Sequence, residues 1–232
     1  PIADRPWTAR RRQLLWDSRI TLTEQLVAWL ATRESKPQVL LSGSAVGWYG
    51  EGGERELAED SPPVSEDFAS HLCIAWEETA QRAQALGIRV VLVRTGLVLA
   101  AEGGFLSRLL LPFKLALGGP IGNGRQWMPW IHINDQIALI DFLVHENGAS
   151  GPYNACAPHP VRNAEFAQTL GRVLHRPAFM PMPTFVLRVL LGEMSGLLLG
   201  GQRAMPEKLL AAGFTFQFTD LRAALDDIAA RL

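Results

Sequence analysis

Two short apolar runs, Val39-Leu40-Leu41 and residues 88–94, flank a stretch with helical periodicity, and that order restricts the possible folds more than any other feature. Each run is too short to be a buried helix and too uniformly apolar to keep one face in water, the pattern of a strand covered on both sides. Between them, residues 65–86 place Phe68, Leu72, Cys73, Trp76 and Ala80 on one stripe and stop at Gly87. A strand, a helix and a second strand in this order require a right-handed parallel crossover. The first two thirds of the chain are therefore expected to form part of a doubly wound α/β sheet, whose ligands bind beyond the C-terminal ends of the strands. Those ends are the loops 42–50 and 95–104.

The alternation continues along the chain. Thr8 suits the cap of a first helix with Leu14, Leu15, Leu22, Leu26, Val27 and Leu30 turned inward. A helix over 105–117 bends near Pro112, a glycine-dense loop covers 118–124, and a short strand covers 130–133. Asn134 is placed to cap a helix ending at Glu146, and a strand follows near 152–156. Asn163 starts a further helix, residues 176–183 form an extended proline-punctuated link, and a last helix from Thr219 buries Leu221, Leu225, Ile228 and Leu232. The expected division is a sheet domain over 1–150 with a lid insertion at about 103–129, and a mostly helical substrate or lid region over 151–232.

Composition excludes several classes. With 232 residues, 48% of them hydrophobic and 19% charged, the chain is ample for a buried core and too apolar for disorder. Its net charge of −1 sets up no global field toward nucleic acid or an anionic membrane, so neither is an expected partner. Two distant cysteines, Cys73 and Cys156, imply neither a disulfide framework nor a zinc cluster, and a reducing cytoplasm fits them best. The richest apolar stretches, 97–117 and 186–199, are interrupted by charges. The start has arginines but no apolar block behind them, and Pro1 in place of Met suggests that residues precede it.

Familiar chemical signatures are missing. No Gly-x-Gly-x-x-Gly occurs, because Gly122-x-Gly124 is followed by Trp127, and no glycine-rich loop ends in Lys-Ser/Thr. The five histidines never pair at ligand spacing, so no metal is expected. Gly43-Ser44-Ala45-Val46-Gly47 has one residue too many for a hydrolase elbow.

The run Ser42-Gly43-Ser44-Ala45-Val46-Gly47-Trp48-Tyr49-Gly50 nevertheless resembles the serine loop of extended short-chain dehydrogenase/reductases, the family that includes sugar-nucleotide epimerases. Its companions follow in the same order: Arg94-Thr95-Gly96-Leu97-Val98-Leu99, then Gly118-Gly119-Pro120-Ile121-Gly122-Asn123-Gly124-Arg125-Gln126, then Trp130-Ile131-His132-Ile133-Asn134-Asp135. With Gly200-Gly201-Gln202-Arg203 and Gly213-Phe214, they resemble the atypical NAD-dependent epimerase/dehydratase-like subgroup of YfcH type, some of whose members carry a cell-division-inhibitor label. The resemblance spans essentially the whole chain. It implies a Rossmann-like doubly wound parallel sheet and NADP(H) as cofactor. The family's glycine-rich first βα units are absent here, so the resemblance implies that on the order of 60 residues precede Pro1.

The family's proton relay is a Tyr-x-x-x-Lys pair one helical turn apart, the cation lowering the phenol's pKa. The only lysines are Lys36, Lys114 and Lys208, and the residues four after Tyr49 and Tyr153 are Gly53 and Ala157. Aligned by the Trp76-Glu77 pair, the tyrosine slot falls on Ala69 and the lysine slot on Cys73. Ser44 aligns with the catalytic serine, and Tyr49 is near enough in sequence to supply a substitute phenol. Both residues suit a purely structural role equally well, with Ser44 satisfying loop backbone and Tyr49 packing the sheet top. Cys73 is read as helix core rather than as a reactive thiol.

By the resemblance, Arg19, Ser42, Gly43, Arg94 and Val98 are candidate cofactor contacts, Arg19 through a phosphate and Val98 through backbone groups. The plainer alternatives are a solvated helix arginine and a core valine. Gly122, Arg125 and Trp130 are candidate substrate contacts, since a loop this rich in glycine lets backbone approach an anionic ligand; a surface turn is the alternative. His132 and Asp135 are expected to be structural. The function so implied is an NADP(H)-binding oxidoreductase or epimerase on a small polar substrate. Its rival is a catalytically silent cofactor-binding sensor or partner-binding protein.

Overall fold

A computed structural model describes residues 2–64 and 67–232; Ser65, where the sequence places the start of a helix, lies outside the described residues. The chain opens with α1 (Ala9–Trp16), whose N-terminus is held by Thr8 Oγ1 accepting from the Arg11 N–H. A π-helical turn, Asp17–Thr21, joins it to α2 (Leu22–Ala31). The burial departs from the sequence expectation: Leu15 and Leu30 are buried, but Leu14, ahead of the turn, and Leu22 and Leu26, beyond it, are 52%, 60% and 40% exposed, and the turn accounts for the latter two. A π turn takes an extra residue, so side chains beyond it fall out of phase with a stripe projected at a uniform 3.6-residue period.

Next come β1 (Val39–Ala45), a 3-10 turn Val46–Tyr49 and the short β2 (Glu56–Leu57). Residues 42–45, expected in a loop, thus continue the strand. α3 (Phe68–Gln81) starts on Asp67, whose carboxylate accepts from the Ser70 N–H, runs into a 3-10 turn Arg82–Leu86, and ends at Gly87 with φ 77°. β3 (Arg89–Thr95) and β4 (Leu97–Leu99) precede α4 (Gly104–Lys114), which contains Pro112. β5 (Trp127–Met128) and β6 (Trp130–His132) lead into α5 (Ile133–His145). The cap of α5 is His132, not Asn134: His132 Nδ1 accepts from the Asn134 N–H.

β7 (Gly151–Ala155), β8 (Val161–Arg162) and α6 (Asn163–Val173) are followed by α7 (Thr184–Leu191), a 3-10 turn Gly192–Ser195 and α8 (Gly196–Leu199). β9 (Arg203–Ala204), α9 (Glu207–Ala211) and α10 (Leu221–Ala229) complete the chain. Leu232 lies past the end of α10 and is half exposed, whereas Leu221, Leu225 and Ile228 are buried as expected.

The sheet is parallel and ordered β1-β3-β7, so its third strand comes from beyond residue 150, across the expected division. Alternation along β3 sorts its two faces. Val91 and Val93 pack with Leu139 and Leu143 of α5 and with Leu209 of α9, while Val90 and Leu92 pack with Leu30 of α2 and Ala80 of α3. Helices on both sides of a parallel sheet make the fold Rossmann-like. The second edge of β1 pairs with no strand among the described residues. A separate cluster joins Leu106, Leu110 and Phe113 of α4 to Trp130, Phe166, Leu170 and the buried face of α10. Among the described residues no helix is long and apolar enough to cross a membrane.

Candidate active site

Register builds the centre of the site. Ser44 of β1 is level with Arg94 of β3, and Arg94 with Asn154 of β7. Residues level across a parallel sheet share a face, here the face covered by α3. From α3, Glu77 reaches this rung: Ser44 Oγ donates to Glu77 Oε1 at 2.6 Å, Arg94 Nε donates to the same oxygen at 2.8 Å, and the other arm of Arg94 donates to Oε2 at 2.9 Å. All three side chains are buried. A guanidinium fork on a carboxylate satisfies both partners at once, the condition for burying charge without a large desolvation loss. Burial works against the Arg94 charge, but the hydrogen bonds and charge of Glu77 outweigh it and raise the arginine's proton affinity.

Tyr49 belongs to the same network, and its placement departs from the acid/base role expected for it. The residue is 0% exposed; its hydroxyl receives an Arg94 N–H at 3.0 Å, and its own hydrogen faces Ala58 O and Asn154 Oδ1, each at 2.9 Å. Burial pushes its pKa up to about 12, with the nearby Arg94 charge only partly countering. A phenol so enclosed holds the turn after β1 against β7. Arg94 likewise departs from a cofactor contact: besides Glu77 and Tyr49 it donates to Glu59 O, and its guanidinium lies 3.6 Å from the Trp48 ring centroid. Asn154 Nδ2 fastens the rung to Leu57 O and Met205 O.

The two slots of the missing pair, Ala69 and Cys73, are buried on α3. Burial pushes the Cys73 thiol up to about 11, with the Glu77 charge adding to it, so it stays neutral at physiological pH. Beside them the chain is tightly packed. A Cβ on Gly43 would sit 3.0 Å from the Trp76 indole, so only glycine fits there without moving the ring. Trp76 Nε1 donates to Thr23 Oγ1 at 3.1 Å, and the Arg19 guanidinium lies 5.5 Å from the Trp76 ring centroid. Arg19 itself projects from the π turn, half-buried, and donates to Leu15 O and Ser18 Oγ. Gly43, Ser44 and Arg19 therefore gather around α3, while Ser42 Oγ turns to its neighbour's main chain, donating to Gly43 O at 3.2 Å. Val98 stands apart on β4, level with Ile131 of β6 and packed against the sheet core.

The lid residues are less unified. Gly122 has φ 59°, donates its N–H to Met182 O, and would place a Cβ 2.9 Å from Thr184 Oγ1, so it is a packing glycine. Arg125 is exposed, its N–H held by Asn123 Oδ1 and its carbonyl by Arg162. Trp130 cannot flank a ligand ring: it is 0% exposed and donates to His159 O at 3.1 Å. The accessible aromatic is Trp127, half-buried between the guanidinium groups of Arg162 and Arg203, 4.0 and 4.8 Å from its ring centroid. His132 and Asp135 are buried framework, the Asp135 carboxylate accepting the Gln217 and Phe218 N–H groups at 2.7 and 2.9 Å.

Sequence reasoning missed Glu77 as the partner of Ser44, and it missed the Trp127 cluster. A signal for the first existed, because Arg94 follows the apolar run 90–93 at the inner end of a buried strand and so needs a buried counter-charge. Among the described residues no group of three His, Cys, Asp or Glu side chains is arranged to hold a metal ion.

Comparison with known proteins agrees with this arrangement. The chain is 43% identical over 224 residues to the "Epimerase family protein YfhF" of Bacillus subtilis, covering 97% of this chain and 74% of that protein. The crystal structure of the human epimerase family protein SDR39U1 (isoform2) with NADPH superposes with a TM-score of 0.94 at 36% identity, over 100% of this chain and 79% of that one. A nucleoside-diphosphate sugar epimerase from Corynebacterium glutamicum matches at TM-score 0.78 and 30% identity, over 97% of this chain and 44% of that one. Residues 182–228 match a domain of unknown function, DUF1731. Residues 2–156 match the NAD dependent epimerase/dehydratase family model, and with it the serine strand and its parallel sheet: the chain belongs to that family.

Proposed function

We propose that the protein is an NADP(H)-binding oxidoreductase or epimerase of the atypical, YfcH-type short-chain dehydrogenase/reductase subgroup, acting in the cytoplasm on a small polar substrate. The observation that carries this reading is Ser44, held at the C-terminal part of β1 by a buried, ionised Glu77–Arg94 pair, where ligands of a parallel sheet bind. The human relative's NADPH supports the choice of cofactor. When bound, the nicotinamide supplies or takes up a hydride.

The residues of this chain fit part of such a ligand. Arg19 makes no ion pair among the described residues, and its half-buried guanidinium is engaged only by a main-chain oxygen, a serine hydroxyl and the Trp76 face, so it suits a phosphate. Ser42 and Gly43 on β1, and the Val98 backbone on the separate strand β4, are the further cofactor contacts of this reading. On the glycine-dense loop, exposed Arg125 is the substrate contact of this reading, with Gly122 shaping the backbone beside it. Ser44 meets the reacting oxygen. NADPH fluorescence titration tests this: the full-length protein binds NADPH, and Arg19→Ala weakens it by about 1.5–3 kcal/mol as a charge-assisted contact is lost. Absence of NADPH binding would overturn the reading.

One observation favours a second reading. With Ala69 and Cys73 in the relay slots and Tyr49 enclosed, no phenol faces Ser44, as suits a protein that binds NADP(H) as a sensor or partner-binding module without turnover. Stoichiometric NADPH binding without oxidation across a broad carbonyl panel would favour it.

A further inference from the structure

We infer that Glu77 is a positioning residue that commits the Ser44 hydroxyl as a donor, so that Ser44 offers a ligand only lone pairs and the site reads an O–H or N–H group in preference to a carbonyl oxygen. The inference rests on Ser44 being the substrate contact.

A serine hydroxyl has one hydrogen and two acceptor sites. Here the hydrogen points at Glu77 Oε1 over 2.6 Å, in the range of O–H donors to ionised acceptors. Glu77 is the acceptor along that line. Both of its oxygens already receive Arg94 N–H groups, at 2.8 and 2.9 Å, and a guanidinium is never an acceptor. The carboxylate is the counter-charge of a buried guanidinium, and with both oxygens receiving from Arg94 it serves Ser44 as an acceptor.

Turning Ser44 toward a ligand's carbonyl would break a charge-assisted bond in a buried site, leaving Glu77 with one partner fewer where water cannot replace it. A ligand hydroxyl leaves the Glu77 bond intact, because it donates to a Ser44 lone pair and at most displaces the weak contact of the Cys73 thiol. Neighbouring groups do not reverse this polarity. Ala69 has no donor, the Cys73 thiol is in hydrogen-bond contact with Ser44 but is only a weak donor, and the Tyr49 hydrogen is taken by Ala58 O and Asn154 Oδ1. The site is thus built for the carbinol member of an alcohol–ketone pair.

Neutron diffraction from deuterated, full-length wild-type protein reads the donor directly. A deuteron on Ser44 Oγ along the line to Glu77 Oε1 is the expected result; one turned away from Glu77, or carried by Glu77, overturns the inference. Ligand-observed NMR of the cofactor-free full-length protein with cyclohexanol and cyclohexanone gives a second reading. The alcohol is expected to bind at least about tenfold more tightly, and equal affinities would count against the proposal. In Glu77→Gln that ratio should collapse toward unity, and it should do likewise in Ser44→Ala; a merely structural loss would lower both affinities alike and leave the ratio standing. If that variant does not fold, the deuteron position in the wild type decides. Failure of NADPH to bind would remove the nucleotide reading and leave the deuteron result intact, so the two fail separately.

Discussion

The Ser44–Arg94–Asn154 rung and the Trp127 cluster both bring arginines, glutamates and aromatic rings together, but in opposite settings. In the rung, Glu77 and Arg94 are buried and the arginine makes four hydrogen bonds, two of them to Glu77. Around Trp127, Arg162 pairs with Glu54 and Arg203 with Glu56 through side chains that remain partly in water. Solvent screens the second group, so each contact there contributes little and can exchange. In the first, removing one partner strands a charge in the interior. The first setting is rigid and the second adaptable.

The largest effect expected is on the buried pair. Glu77→Ala should destabilise the protein by about 3–5 kcal/mol in urea denaturation, since Arg94 is left without its counter-charge, whereas replacing both residues by apolar ones should cost much less. A double replacement as damaging as the single one would show that hydrogen bonds to the rest of the rung dominate.

Tyr49 comes next. Tyr49→Phe leaves Arg94, Ala58 O and Asn154 Oδ1 short of a partner, for a loss of about 1–3 kcal/mol. It should also change the alkaline limb. Burial raises the tyrosine's folded pKa to about 12 against an ordinary value of about 10, so its contribution is fully present below pH ~10 and is lost as pH rises toward 12. Wild type should lose stability across that window more steeply than Tyr49→Phe; parallel curves would place the hydroxyl in water.

A smaller, acid-side effect belongs to His132. Burial lowers its pKa, with Asp227 and Asp135 partly opposing, and its Nδ1 is already an acceptor for the Asn134 N–H, so the folded state holds it neutral. The unfolded chain protonates it as pH falls below about 6.5, so the associated stability is present above that value and declines beneath it. Melting curves of His132→Gln between pH 7.5 and 5 should show a shallower decline than wild type. The smallest effect is expected at the rim: Arg203→Ala should cost about 1 kcal/mol or less, and most of the ion-pair part should vanish in 1 M salt. A salt-independent loss would place the cation–π contact with Trp127 above the Glu56 ion pair.

Much of this protein can be read from short-range pattern. The runs at Val39 and Val90, the stripe on α3, the stop at Gly87 and the buried face of α10 depend on period and turn chemistry, properties of neighbouring residues, and they appear where those rules place them. Ser44 at a strand end is legible for the same reason. The partners of Ser44 are not, because a hydrogen bond from β1 to α3, or a rung shared by Ser44, Arg94 and Asn154, depends on strand register and on how far a helix slides along a sheet. One residue of slip would carry every side chain to the opposite face. The π turn is equally hidden: no composition rule announces one extra residue in a helix, yet it rephases Leu22 and Leu26 into solvent and aims Arg19 at Trp76. Burial likewise decided between the open roles of Tyr49 and Trp130. The same aromatic side chain serves as a ligand face or as a strut depending on whether water can reach it, and that is a property of the assembled layers around it.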